Sequence, residues 1–144
     1  ISPEPDGLWA MASGRPRPTN VATLPYPGLA TDYLPLLVAL QCFNTGTSYA
    51  TENVFSGRFR YVGELARMGA QVRVDGHHLV IDGVARLSGA PVRALDIRAG
   101  AALVVAALGA DGETVIADAH HLDRGYEGLT DRLSAIGVQI ERLD

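Results

Sequence analysis

The sequence predicts an α/β fold made of two tandem β-α-β-α-β units, and three observations predict it. Segments that alternate like strands take turns with segments of helical period from Asn20 onward. Landmark residues recur at nearly constant separation: Asp32 and Asp96 are 64 residues apart, Gly46 and Gly112 66, Arg58 and Arg124 66, Gly69 and Gly137 68. The first helix of each unit is apolar on almost every side, the pattern of a helix enclosed by other elements.

The first 20 residues are punctuated by Pro3, Pro5, Gly7, Gly14, Pro16 and Pro18. They predict an irregular segment with one short strand at Leu8–Met11. The first unit, residues 21–90, opens with a strand near Val21–Leu24 and the turn Pro25-Tyr26-Pro27-Gly28. A helix follows from Thr31 or Asp32 to about Phe43, then a turn at Asn44-Thr45-Gly46-Thr47 and a strand over Ser48–Val54. A second helix spans about Phe59–Met68, with Gly69 in the left-handed position that ends it. Strands at Gln71–Val74 and His78–Ile81 flank Asp75-Gly76-His77, a hairpin signal.

The second unit, residues 91–144, repeats this order. A strand lies near Val92–Ala94, a helix at about Ile97–Leu108, a turn at Ala110–Glu113 and a strand at Thr114–Ala117. His120–Gly125 reads as a loop and Tyr126–Ile136 as a helix ended by Gly137. Val138–Arg142 reads as a final strand. The second helices carry a wet face, marked by Glu64 and Arg67 and by Asp131, Arg132 and Ser134. Enclosed first helices with amphipathic second helices imply that a third unit completes the enclosure.

Composition narrows the function. The chain has 144 residues, 47% hydrophobic and 19% charged, enough to bury a core. Net charge is −4 and aromatic residues make up 6%, which argues against nucleic-acid binding. All 12 basic residues are Arg, so lysine Schiff-base and P-loop lysine chemistry are excluded within this chain. The single cysteine, Cys42, has no partner for an internal disulfide and fits a reducing, cytoplasmic compartment. The longest apolar run, around Ala99–Ala107, is too short to span a bilayer, and no secretory signal pattern opens the chain. A start at Ile1-Ser2-Pro3 without Met is expected of a piece of a longer protein.

Three features exceed what packing needs. Asp32 stands at a loop–helix junction, where it serves either as a helix-start carboxylate or as a general base toward a hydroxyl. Asp96-Ile97-Arg98 puts a cation at a helix N-terminus whose dipole is already positive, so Arg98 needs an anionic partner, either Asp96 or a ligand. Arg58 and Arg124 precede the second helix of their units and suit convergence on a phosphate or carboxylate. The alternative for Arg124 is a local pair with Asp123 or Glu127. His77-His78 and His120-His121 lack metal-ligand spacing, and no metal or cofactor is expected.

Read together, Pro25-Tyr26-Pro27-Gly28-Leu29-Ala30-Thr31-Asp32, Thr51-Glu52-Asn53-Val54-Phe55 with Arg58-Phe59, Asp96-Ile97-Arg98-Ala99 and His121-Leu122-Asp123-Arg124-Gly125-Tyr126-Glu127 resemble the C-terminal part of the UDP-N-acetylglucosamine 1-carboxyvinyltransferase family. The resemblance runs from Val21 to Leu143. It implies an inside-out α/β barrel of three modules per domain and two domains per enzyme, with two modules present here. It implies transfer of an enolpyruvyl group from phosphoenolpyruvate to the 3′-hydroxyl of UDP-N-acetylglucosamine. That is the first committed step of peptidoglycan precursor synthesis, with consequences for cell shape and division.

By position, the resemblance makes Asp32 the general base at the sugar hydroxyl and Val54 a backbone contact to the UDP-sugar. It makes Arg124 a phosphoenolpyruvate ligand, and Asp96, Arg98 and Arg58 residues of the same cleft. Gly57 departs from the Asn or other polar residue common in the family. The family's lysine and loop cysteine or aspartate match nothing in this chain, and Cys42 is not that cysteine. One wall of the active site is therefore expected here, with the missing N-terminal part of the enzyme as partner and no activity for the chain alone. The sister enzyme acting on shikimate 3-phosphate and a non-catalytic sugar-nucleotide-binding homologue are the alternatives.

Overall fold

A computed structural model describes residues 1–143. Strand β1 (Ser2–Glu4) and strand β2 (Gly7–Trp9) form an antiparallel hairpin that turns at Pro5-Asp6 and pairs Ser2 with Trp9. This corrects the expected single strand at Leu8–Met11. A strand needs a ladder partner, and Ser2-Pro3-Glu4 supplies one, with Pro3 tolerated at a sheet edge. The hairpin is exposed throughout.

Strand β3 (Val21–Ala22) leads through the Pro25–Gly28 turn, closed by the Gly28 N–H on the Pro25 carbonyl at 2.9 Å, into a 3₁₀ turn at Thr31–Tyr33. Helix α1 (Leu34–Gln41) follows directly, with Pro35 in its first turn where a missing N–H costs nothing. Strand β4 (Thr47–Thr51) returns parallel to β3, Val21 opposite Ala50. Parallel neighbours require such a crossover helix.

Helix α2 (Val62–Arg67) is shorter at its start than expected, because residues 56–61 form successive turns instead. Strands β5 (Gln71–Asp75) and β6 (His78–Asp82) make the expected hairpin around Gly76-His77. Together they complete a four-stranded sheet of order β3-β4-β6-β5. Its alternation is clean where β4 meets β6: Ser48, Ala50, Leu79 and Ile81 are buried while Thr47 and Tyr49 face water.

The second unit begins after strand β7 (Leu87–Ser88), with strand β8 (Pro91–Arg93) and helix α3 (Ile97–Leu108). Strand β9 (Ala110–Asp111) lies parallel to β7, and strand β10 (Val115–Ala117) lies parallel to β8. The second crossover thus copies the first. Helix α4 (His120–Asp123) occupies the stretch expected to be a loop, and helix α5 (Leu129–Ala135) starts later than expected, after Gly128.

Val138–Arg142 is not a strand. Among the described residues no strand lies beside it, and an extended segment without a ladder leaves its backbone groups to water. Arg142 instead grips Asp123 through two hydrogen bonds of 3.0 and 2.8 Å.

The core forms where the two apolar helices meet. Leu34, Val38, Ala39 and Cys42 from the first unit pack in one cluster with Ala99, Ala102, Leu103 and Ala106 from the second. The alanines on α3 let the helix axes approach closely, and each fully buried Leu contributes about 1.5–3 kcal/mol. Leu65 and Met68 close the cluster from the α2 side and Leu79 and Ile81 from the sheet. No residue of α5 is buried, so the second unit is less enclosed than the first.

Arg15 ties the N-terminal segment to this body. Its Nε donates to the Phe43 carbonyl at 3.0 Å, and its Nη2 donates to the carbonyls of Asn44 and, at 2.8 Å, Val84. Carbonyls just past the end of α1, which the helix leaves unpaired, thereby find a donor.

Candidate active site

Parallel pairing of β3 with β4 brings two chain segments to one edge. Thr23 donates its N–H to the Thr51 carbonyl at 2.9 Å, and Glu52 leaves the strand immediately after. The Glu52 side chain turns inward and is 4% exposed. Its Oε1 accepts from Thr23 Oγ1 at 2.7 Å, the Val54 N–H at 2.8 Å and the Phe55 N–H at 3.1 Å. Its Oε2 accepts from Thr31 Oγ1 at 2.5 Å. Burial pushes the Glu52 carboxyl up, but the hydrogen bonds from Thr31, Thr23, Val54 and Phe55 outweigh it and leave its pKa below the ordinary value.

Asp32 is the middle residue of the 3₁₀ turn. It makes no capping hydrogen bond there, and its side chain is 67% exposed. It is not the N-cap, yet it lies in the first turn at the helix start, as one of its two readings expects. Arg58 Nη1 donates to Asp32 Oδ1 at 3.1 Å and approaches Thr31 Oγ1 at 3.4 Å. The Arg58 guanidinium also lies 4.0 Å from the centre of the Phe55 ring, an attraction that fixes its plane.

Asp96 is the N-cap of α3. Its backbone is extended, and Oδ1 accepts from the N–H groups of Arg98 at 2.8 Å and Ala99 at 2.9 Å. Oδ2 accepts from Arg98 Nη2 at 2.9 Å. Burial pushes this carboxyl up as well, and the Ala99 N–H, the Arg98 charge and the Arg98 hydrogen bonds bring it below the ordinary value. Arg98 thus has the anionic partner that its position demanded, and a second one besides. Its Nε lies 3.7 Å from Asp32 Oδ1.

The remaining donor of that guanidinium, Nη1, is buried without a partner among the described residues, as is the hydroxyl of Tyr61. Both residues line a cleft of about 160 Å³ with Gly57, Arg58, Arg60, Leu95 and Asp96. A wider hollow of about 220 Å³ at the exposed β1–β2 hairpin, lined by Glu4, Asp6 and Trp9, holds no comparable convergence of charge.

The structure thus brings together Asp32, Arg58, Asp96 and Arg98. Val54 sits beside them, half-buried, with its N–H taken by Glu52. Arg124 stands apart. It is exposed at the end of α4 and forms no ion pair among the described residues. Its expected alternative partner Asp123 belongs to Arg142.

Arg124 nonetheless lies at the same end of α3 as Asp96. A Cβ on Gly125 would stand 2.6 Å from Ile97 Cδ1, so the loop after Arg124 rests directly on the first residue of that helix. Among the described residues no helix is long and apolar enough to cross a membrane. None of their His, Cys, Asp and Glu side chains gather in groups of three or more that could hold a metal ion.

Sequence reasoning assigned no role to Glu52, Thr31, Arg60 or Tyr61. Glu52 stood inside a recognised motif, yet nothing in Thr51-Glu52-Asn53 distinguishes a carboxylate turned inward from one facing water.

Comparison with known proteins adds to this geometry. The family described as EPSP synthase (3-phosphoshikimate 1-carboxyvinyltransferase) matches residues 4–133. A UDP-N-acetylglucosamine 1-carboxyvinyltransferase of Nocardia farcinica is 48% identical over 99% of this chain and 34% of its own length. That of Mycobacterium tuberculosis is 53% identical over 90% of this chain and 31% of its own. The chain therefore spans about a third of the length of the curated relatives it matches. The crystal structure of the enolpyruvyl transferase NikO from Streptomyces tendae superposes with a TM-score of 0.82 at 33% identity, covering 90% of this chain and 30% of that one. EPSP synthase from Acinetobacter baumannii, with a TM-score of 0.62 at 23% identity over 78% of this chain and 27% of that one, shares the fold.

Proposed function

The chain belongs to the EPSP synthase family of carboxyvinyl transferases, and on that premise we propose that it supplies one wall of an enolpyruvyl transfer site within a longer polypeptide. The reaction moves the enolpyruvyl group of phosphoenolpyruvate to the 3′-hydroxyl of UDP-N-acetylglucosamine in the cytoplasm and releases phosphate. It serves peptidoglycan precursor synthesis. The acceptor and the transferred group both follow from the names of relatives at about 50% identity, and the cluster supplies the carboxylate and the cations that such a transfer needs.

One observation carries the reading: the Asp32 side chain is 67% exposed and is held by two guanidinium groups, Arg58 at 3.1 Å and Arg98 at 3.7 Å. A hydroxyl nucleophile needs a base, and Asp32 is the carboxylate of the cluster free of helix capping. The donor's carboxylate and phosphate need cations. Arg58 and Arg98 line the cleft and supply them. As an anionic substrate enters, Arg98 turns from Asp32 toward it, while Arg58 stays on Oδ1 and leaves the other carboxylate oxygen to take the proton. Arg124 adds a third cation from the α4 loop. With the Val54 N–H engaged by Glu52, a contact from Val54 to the UDP-sugar falls to its carbonyl.

The test is phosphate release from phosphoenolpyruvate by the full-length protein. Release is expected with UDP-N-acetylglucosamine and not with shikimate 3-phosphate. The opposite preference would move the protein to the sister activity, and no release with either acceptor would leave a non-catalytic homologue. The 144-residue chain by itself is expected to release none.

A further inference from the structure

We infer that Glu52 is a positioning residue for Asp32, acting through the Thr31 hydroxyl and Arg58. The inference rests on the reading of Asp32 as the general base. A continuous hydrogen-bonded path joins the two carboxylates. Glu52 Oε2 accepts the Thr31 Oγ1 proton at 2.5 Å, Thr31 Oγ1 faces Arg58 Nη1 at 3.4 Å, and that same Nη1 donates to Asp32 Oδ1 at 3.1 Å.

Each link constrains the next. A hydroxyl has one proton, and Thr31 gives it to Glu52, so its lone pairs are turned toward Arg58. The guanidinium is a rigid fork, and one fixed nitrogen together with the Phe55 ring at 4.0 Å sets its plane. The position of Asp32 Oδ1 follows from that plane.

Glu52 also reaches the ligand side by a second path. Its Oε1 receives the N–H groups of Val54 and Phe55, which shapes the turn carrying Val54. Its third partner, Thr23, anchors the whole assembly to β3. One buried charge with four donors thus ties together β3, the turn bearing Asp32 and the loop bearing Val54. A buried carboxylate is tolerated only when so satisfied, and the satisfaction makes the arrangement rigid. Glu52 touches no reacting atom in this scheme. It holds the base and the arginine in register.

The test uses the full-length enzyme with four variants. Thr31→Val keeps volume and removes the hydroxyl, Thr31→Ser keeps the hydroxyl, Glu52→Gln removes the charge, and Asp32→Asn is the control. Thr31→Val is expected to lower kcat by about ten- to a hundred-fold, the scale of a small misplacement of a reacting group, with both KM values within about three-fold. Thr31→Ser is expected to restore kcat to within about three-fold. Glu52→Gln should follow Thr31→Val.

Equal losses in Thr31→Val and Thr31→Ser would overturn the inference, since packing rather than the hydroxyl would be responsible. So would full turnover in Thr31→Val when Asp32→Asn has lost it. Full turnover in Asp32→Asn would instead remove the general-base reading, and this inference with it. If Glu52→Gln fails to fold, the Thr31 pair decides alone.

Discussion

Arg98 on the first turn of α3 reaches across to Asp32 on the turn before α1, with Nε 3.7 Å from Oδ1, while its Nη2 holds Asp96 at 2.9 Å. One side chain thus bridges the aspartates at the starts of the two core helices. The contact sits where the two core helices begin, so packing of α1 on α3 sets its geometry. The geometry of the candidate site and core packing are coupled here through one guanidinium.

Arg98→Met in the full-length enzyme keeps an unbranched apolar stem and removes the charge. It is expected to lower kcat/KM for phosphoenolpyruvate by about a hundred-fold, the scale of losing one preorganised donor. Folding should be retained, because Asp96 still caps α3 through the N–H groups of residues 98 and 99. Steady-state kinetics beside a melting curve make the comparison. A kcat/KM within about three-fold of the parent would remove Arg98 from the substrate site.

Asp32→Asn is expected to reduce kcat by about 10²–10⁴-fold, with KM changed by no more than a few fold, since removing a base acts on the chemical step. Phosphate-release kinetics at saturating substrates measure it. Parental turnover in the variant would end the general-base assignment.

Arg124→Ala is expected to raise KM for phosphoenolpyruvate about ten-fold or more and to leave melting nearly unchanged, because the exposed side chain pairs with nothing among the described residues. An unchanged KM would place this loop outside the donor site.

Acid should unfold the protein through its paired carboxylates. Asp96 and Glu52 have folded pKa values below their ordinary 3.8 and 4.5, so the unfolded chain binds protons more readily. Their contribution to stability is complete above about pH 5 and is lost as pH falls through the folded values. Melting temperature should therefore drop below about pH 4.5. Glu52→Gln should melt lower at pH 7 and show a shallower decline on the acid side. Parallel curves for variant and parent would show that Glu52 carries no such linkage.

Cys42 is fully buried, and burial pushes its thiol pKa up to about 12. At pH 8 the thiolate fraction is negligible and the sulfur is covered. Peptide mapping after iodoacetamide treatment should find the Cys42 peptide unmodified in the native protein and modified in denaturant. Rapid alkylation of the native protein would contradict the packing of α1 on α3.

Much of this arrangement was legible beforehand, and where it was not, the reason is specific. Ile97–Leu108 matched its helix because a twelve-residue stretch with Arg98 as its one charged residue, opened by a capping aspartate, needs no outside help to declare itself. Gly69 and Gly137 end their helices as expected, with φ of +90° and +94°. Val138–Arg142 failed as a strand because alternation describes a face and cannot supply the neighbour that the ladder requires. His120–Asp123 failed as a loop because four residues are too few to show a period, and Leu122 is drawn into a helical turn by packing on Gly100.

Periodicity, turn chemistry and capping act over four or five residues, and they were enough to set out the two crossover units and to mark Asp32, Arg58, Asp96 and Arg98 as candidates. Which carboxylate turns inward and which stays wet was decided by folding alone. Glu52 and Asp32 look alike along the chain, but Thr23 and Thr31 lie 29 and 21 residues away from Glu52 and meet it only once β3 pairs with β4. A buried charge is stabilised by partners distant in the chain, and those partners exist only after the backbone has closed around it.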